Sequence, residues 1–245
     1  MHFGLIGRSL SHSFSKNYFE QKFKTLNLSN RTYNNFDLDS ISEFPSLIEK
    51  HSELKGLNVT APYKEQIIPF LDSLSDEAKT IGAVNCIRIQ NGKKEGHNTD
   101  VYGFKQSIKP FLEPIHNRAL IFGTGGSSKA IAYALKQIGV DYYFVTSSSQ
   151  KKQSNTFFYS ELNEIIFRQF LLLVNCTPLG MHPITNECVP IPYQFVGSQH
   201  LAYDLIYNPE ETLFLQQCKE KNAVIINGYS MLQLQAEKSW EIWNS

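Results

Sequence analysis

In LNVTAPYKEQI (residues 57–67) a strand-like run is cut short by Pro62, and Lys64 follows two residues later. A lysine so placed is either a solvated charge or a group that moves a proton. In water an ammonium holds its proton too firmly for two-way exchange near neutrality. A proton-moving lysine therefore needs desolvation or a neighbouring cation, while a carboxylate can only orient it and share its hydrogen bonds. The surrounding polar residues stand at the ends of strand-like runs: Ser11, Ser13 and Ser15 after the first, Asn58 and Thr60 after another, Asn85 at the start of a third, and Asn98-Thr99-Asp100 closing a hairpin. Hydroxyls and amides gathered at one edge of an α/β sheet form a pocket for a polyhydroxylated, acidic ligand. Each has a plainer reading as well: Ser15 or Thr99 as a helix N-cap, Asn85 as a turn former, Asp100 as a first-turn charge.

A second chemistry-bearing stretch is GTGGSSKA (123–130), set between a strand and a helix. There Gly123 suits a tight turn, Gly125 lets a backbone approach a pyrophosphate, and the helix N-terminus favours negative charge. The spacing does not fit a nucleoside-triphosphate loop, which needs Lys and then Ser or Thr directly after its last glycine. An NAD site usually carries Asp or Glu at the end of the next strand. Here Thr146-Ser147-Ser148-Ser149 and Gln150-Lys151-Lys152 occupy that place, which leans towards NADP, although the two lysines serve equally well as an exposed loop. The absent carboxylate also disfavours a methyltransferase. Carbonyl reduction by a nicotinamide cofactor requires a protein group that gives up a proton, a role open to Lys64.

The elements that must position these residues follow from periodicity. HFGLI (2–6), RTYNNF (31–36) and LKGLNV (54–59) read as strands. Phe19, Phe23 and Leu26 mark one face of a helix from about residue 15, residues 40–50 read as helix, and short helical stretches continue to about residue 81. AVNCIRIQ and KKEGHN flank Asn91-Gly92, a strong hairpin signal. From Arg118 the rhythm changes. RALIF, a helix with Ile131, Ala134, Leu135 and Ile138 inward, DYYFV, a helix around 160–168, FLLLV, HLAYDLI, another helix and AVIIN alternate, ahead of a last helix from about 230 to 243. Strands alternating with helices predict a parallel, doubly wound sheet. The fold class is thus α/β, with a mixed-sheet N-terminal domain and a Rossmann-like second domain, divided between 100 and 117 near Pro110 and Pro114.

Lysine plus arginine (23) balances aspartate plus glutamate (23), so no net field draws the chain to nucleic acid or an anionic membrane. A small-molecule partner is expected. The start lacks a signal-peptide pattern and no apolar run nears the ~20 residues of a membrane span, which predicts a cytoplasmic protein. The four cysteines are scattered without C-x-x-C and the seven histidines without H-E-x-x-H, so no metal site is expected.

Taken together, SHSFSK, NVTAPYKE, GAVNC, HNTD with Gly103-Phe104, GTGGSSKA, NCTPLGMHP, YDLIYNPEETLFL and NGYSMLQLQA, in this order along nearly the whole chain, resemble the shikimate dehydrogenase family. The resemblance implies reversible NADPH-dependent reduction of 3-dehydroshikimate to shikimate, on the route through chorismate to aromatic amino acids. It also implies a substrate-binding domain (1–100 with the C-terminal helix, 230–245) and an NADP-binding domain (101–229). Carried over by position, Lys64 transfers the proton and pairs with Asp100. Ser13 and Ser15 bind the substrate carboxylate, helped by Tyr207, and Thr60, Asn85 and Gln235 hold its hydroxyls. Gly123, Gly125 and Gly126 form the cofactor loop, Asn175, Thr177 and Gly228 lie near the ribose and nicotinamide, and Met231 flanks the nicotinamide pocket or simply packs in the core. Two departures stand out. Many members carry an Asn-Arg-Thr-like segment after the second Rossmann strand, where Ser147 and Ser148 stand here, so NAD remains open beside NADP. Longer relatives also continue beyond the position of Trp243, which implies less helical cover. The alternatives are a quinate/shikimate paralogue using NAD and a non-catalytic dinucleotide-sensing module. The oligomeric expectation is a monomer or homodimer.

Overall fold

The structure is a computed structural model describing residues 1–8, 10, 13–151 and 154–245, with residue 151 described by its backbone alone. The expectations for Ser11, Lys152 and the Lys151 side chain lie outside the described residues.

Met1–Thr99 and Ala236–Ser245 form one compact unit. β1 (His2–Gly7) leads into α1 (Phe14–Thr25), whose inward positions Phe19 and Phe23 are buried, whereas Leu26, expected on the same face, is the exposed C-cap beyond the last turn. β2 (Thr32–Asp37) lies parallel to β1 at the sheet edge. A 3-10 turn at Ile41–Glu43, opened by a Ser40/Glu43 capping box, runs into α2 (Phe44–Lys50). β3 (Leu54–Val59) is also parallel to β1. β4 (Ser73–Leu74) and α3 (Asp76–Ile81) follow, the latter capped by Ser75. β5 (Cys86–Gln90) and β6 (Lys93–His97) form the expected hairpin, with Asn91 at φ 53° and Gly92 at φ 76°, the two positive values that a tight Asn-Gly turn demands. The sheet runs β2-β1-β3-β5-β6-β4 and is mixed. The C-terminal residues close its core: Trp243 stacks on Phe3 at 4.9 Å, and its indole N–H donates to the Ile87 carbonyl at 3.0 Å. Gly56 makes this possible, because a side chain there would collide with the Trp243 ring.

Asp100–Gln235 form the second unit. Its elements are α4 (Asp100–Ile108), β7 (Arg118–Phe122), α5 (Gly126–Gln137), β8 (Asp141–Thr146), β9 (Thr156–Phe158), α6 (Glu164–Gln169), β10 (Leu172–Asn175), β11 (Leu201–Asp204), α7 (Leu213–Glu220) and β12 (Val224–Ile226). α8 (Tyr229–Trp243) begins here and contributes its last turns to the first unit. The strand order is β12-β11-β10-β7-β8-β9 with every pairing parallel, the doubly wound arrangement. Central strands β7, β10 and β11 are buried almost throughout, as strands covered on both faces must be.

Three further expectations need correction. The helix placed at 160–168 starts at Glu164, because Asn163 caps it by accepting the Ile166 N–H at 3.1 Å, and a 3-10 turn at Tyr159–Glu161 precedes it. Strands β4 and β9, of two and three residues, escaped the reading because so short a run cannot display a period of two. Ile138 is the C-cap of α5, half-exposed beyond its last turn, where Gly139 takes over with φ 76°.

Candidate active site

In the first unit, strand direction decides what can meet. β1, β2, β3 and β6 all end at the edge where antiparallel β5 begins, since Asn58 is in register with Cys86 and Cys86 with His97. The segments after these strands, and the one before β5, therefore share one rim. That rim carries Ser13 and Ser15 after β1, Thr60 and Lys64 after β3, Asn85 before β5, and Asn98 and Thr99 after β6.

Backbone bonds lock the rim together. Thr60 N–H donates to the Ile6 carbonyl at 2.9 Å, and Val84 N–H to the Lys64 carbonyl at 2.7 Å, which sets Lys64 beside the segment of Asn85. Lys64 is half-buried, in a turn anchored by the buried Tyr63 and Ile67, with the Tyr63 hydroxyl donating to the Leu38 carbonyl at 2.6 Å. Asn85 and Thr99, both buried, bond reciprocally. Asn85 Oδ1 accepts the Thr99 N–H at 2.6 Å, and Asn85 Nδ2 donates to Thr99 Oγ1 at 3.0 Å. Behind them Asn58 Nδ2 donates to the Asn85 carbonyl at 3.2 Å and to Ser239 Oγ at 2.9 Å, and Asn58 Oδ1 accepts from the Tyr33 hydroxyl at 2.9 Å. Burial holds the Tyr33 phenol well above the usual range, an effect that the nearby Ser15 hydroxyl partly offsets. A connected, satisfied buried network fixes side-chain positions more firmly than isolated pairs do.

Ser13 sits at the N-cap of α1, yet its hydroxyl makes no cap bond, and its buried Oγ has no hydrogen-bond partner among the described residues. The first turn of α1 carries no acidic residue. An unpaired hydroxyl at a helix N-terminus suits a carboxylate.

In the second unit all six strands run the same way, so the candidates that end or directly follow β7, β8, β10, β11 and β12 fall at one carboxyl edge, and the order reverses between β7 and β10, the usual ligand position of such sheets. Gly123 has φ 101°, and a Cβ there would lie 3.2 Å from the Thr177 methyl, so the turns after β7 and β10 touch. Gly123 N–H donates to the Val145 carbonyl at 3.1 Å, which draws in the end of β8 with Ser147 and Ser148. Gly125 is exposed with open space around it, and as N-cap of α5 it offers no side chain, while Gly126 begins a first turn without acidic residues. This is a cradle into which a pyrophosphate fits. Ser147 is exposed and the Ser148 N–H donates to Thr146 Oγ1 at 3.1 Å.

Asn175, fully buried, is held at both ends. Its Oδ1 accepts from Thr177 N–H (2.9 Å) and Oγ1 (2.7 Å), and its Nδ2 donates to Asp204 Oδ1 at 3.0 Å. Asp204, also fully buried, accepts from Ile206 N–H (2.9 Å) and Thr212 Oγ1 (2.6 Å). Desolvation pushes its carboxyl up to about 6 despite these donors. Gly228 is buried against β11, where any side chain would strike the Leu205 carbonyl, and Tyr207 is half-buried just beyond. Asp100 is the first residue of α4 and is buried. One turn on, Gly103 brings α4 against α8: a Cβ there would be 2.6 Å from the Met231 carbonyl and 3.2 Å from Gln235, so Met231 and Gln235, both buried, border the start of α4.

Sequence reasoning passed over Tyr33, Asp204 and Ser239. Tyr33 had a signal, since Tyr33, Asn35 and Asp37 alternate along one face of β2. Asp204 and Ser239 had none, lying within a buried strand and a helix that read as packing. Among the described residues no group of three His, Cys, Asp or Glu could hold a metal ion, and no helix is long and apolar enough to cross a membrane.

Comparison with known proteins agrees with this geometry. The family model of the shikimate dehydrogenase substrate binding domain matches residues 5–87. The shikimate dehydrogenase (NADP(+)) of Carboxydothermus hydrogenoformans is 39% identical over 254 residues, covering 98% of this chain and 90% of the relative. Among solved structures, shikimate dehydrogenase from Aquifex aeolicus superposes with a TM-score of 0.88 at 31% identity, covering 100% of this chain and 92% of its own. The Thermus thermophilus enzyme, solved in complex with NADP(H) and shikimate, gives 0.88 at 28% identity, covering 99% and 93%. A likeness of this strength, running the length of the sequence and through both sheets, establishes that the chain belongs to the shikimate dehydrogenase family.

Proposed function

We propose that the chain interconverts shikimate and 3-dehydroshikimate in the cytoplasm with NADP(H), binding the acid on the first unit and the cofactor on the second. The observation that carries this reading is the rim of the first unit, where Asn85 is pinned by Thr99 within one residue of the Val84–Lys64 backbone bond, and Ser13 presents an unpaired hydroxyl at a helix N-terminus. Ser13 and Ser15 take the carboxylate, with Tyr207. Thr60, Asn85 and Gln235 orient the ring hydroxyls. The buried hydrogen-bond network behind Asn85 holds its amide before substrate arrives, so less ordering is lost on binding.

Lys64 is the proton-transfer residue. In reduction its ammonium gives a proton to the oxygen that becomes the hydroxyl, and in oxidation the amine takes that proton back; Asp100 orients it. Gly123, Gly125 and Gly126 with the α5 N-terminus hold the pyrophosphate, and Asn175, Thr177, Gly228 and Met231 border the nicotinamide side. The bound cofactor supplies hydride exchange.

A second reading, NAD in place of NADP, is favoured by one observation: Ser147 and Ser148 follow β8, where many members of the family carry an arginine-bearing segment. Initial rates with shikimate or quinate, each with NADP+ or NAD+, test both readings. The proposal expects the highest kcat/KM for shikimate with NADP+. Failure to oxidise shikimate with either cofactor would overturn it, and a preference for NAD+ would install the second reading.

A further inference from the structure

The polar face of β2 is not explained by the chemistry described so far. Tyr33, Asn35 and Asp37 stand at i, i+2 and i+4, so their side chains share one face of this edge strand. The Tyr33 hydroxyl donates to Asn58 Oδ1 at 2.9 Å. The other two converge on the backbone of a single residue, Leu10, between β1 and α1. Asp37 Oδ1 accepts the Leu10 N–H at 2.8 Å, and Asn35 Nδ2 donates to the Leu10 carbonyl at 2.9 Å. That carbonyl also receives the Ser13 N–H at 3.1 Å, so the clamp extends directly to the serine at the head of α1. Nearby, Leu38 N–H donates to the Gly7 carbonyl at 3.0 Å, which ties the end of β2 to the end of β1. The Asn35 Oδ1 is buried with no partner among the described residues, an arrangement that a residue kept only for stability would not favour.

We propose that Asn35 and Asp37 are positioning residues: gripping the Leu10 backbone by its carbonyl and its N–H, they fix the head of α1 so that Ser13 and Ser15 meet the substrate's carboxylate. This rests on the reading of those serines as the carboxylate site. Neither residue touches substrate.

The test compares Asn35→Asp, which loses the donor, Asp37→Ala, which loses the acceptor, and Asp37→Asn, which keeps an oxygen at Oδ1. Shikimate Kd by calorimetry, both KM values, kcat and the unfolding midpoint are measured for each. Loss of one or two hydrogen bonds to a loop predicts shikimate Kd and KM raised about tenfold in N35D and D37A. The NADP+ KM is expected to stay within about twofold, and D37N to bind shikimate like wild type. Wild-type shikimate affinity in folded N35D or D37A would overturn the proposal. So would a D37N variant as weak as D37A, or an equal rise of both KM values. Should D37A not fold, N35D with D37N carries the same decision. A Ser13→Ala/Ser15→Ala double variant separates the two levels. If it binds shikimate normally, the carboxylate reading fails; if it binds weakly while N35D and D37A bind normally, only the positioning role fails.

Discussion

Asp204 shows how one buried side chain can serve a site without touching a ligand. It bonds Asn175, which holds Thr177, and it bonds Thr212, which caps α7, so the turn after β10 and the start of α7 hang on one carboxylate. Burial raises its pKa from 3.8 to about 6, so between those values the folded chain binds more protons than the unfolded one. Stability contributed by this group is greatest in acid and falls as pH rises from about 4 to 6, opposite to the usual trend of paired carboxylates. Asp204→Asn removes that slope. Unfolding free energies from pH 4 to 7 are expected to show wild type losing on the order of 2–3 kcal/mol relative to D204N across the window. Parallel curves would contradict the account. At this scale the sequence was legible where a residue's type is itself unusual for its place, as with Lys64 after Ala-Pro-Tyr or the hydroxyls at strand ends. It was silent where a polar residue hides within a packed pattern. Asp204 ends the run LAYD and Ser239 lies within the last helix, so only three-dimensional partners reveal them.

Elements were easier to read than their lengths. The hairpin at Asn91-Gly92, the glycine turn and the alternation after Arg118 each rest on strong local physics, a positive φ or a repeated crossover, and each stands in the structure. Strands β4 and β9 were not legible, because their pairing at the sheet edges is set by partners distant in sequence, and the start of α6 was misplaced because the local cap at Asn163 was not read. The glycine turn gives the sharpest test of an element. Gly123 has φ 101° and faces the Thr177 methyl, so alanine would be strained by ~1–3 kcal/mol and would press the turn after β10. Gly123→Ala should raise the NADP+ KM well above that of wild type while the shikimate KM stays near it. Equal effects on the two would contradict assignment of this turn to the cofactor.

The whole molecule joins a mixed sheet and a parallel sheet, each with its own buried core, through Thr99-Asp100 and through α8, whose last turns complete the first core around Trp243. Balanced charge pointed away from nucleic acid and towards a small ligand, and alternation gave the second sheet's class. Nothing in the letters ordered the first sheet as β2-β1-β3-β5-β6-β4, since β4, though earlier in sequence, pairs outside the hairpin. That order is what brings Lys64, Asn85 and the serines of α1 to one rim, and the central claim depends on it: Lys64 carries the proton in shikimate oxidation. The most direct measurement pairs steady-state oxidation of shikimate by NADP+ with calorimetric shikimate binding, for wild type and Lys64→Ala. The account predicts that turnover falls about 10²–10⁴-fold while the shikimate Kd changes no more than about threefold. Turnover near wild type in the variant would contradict it.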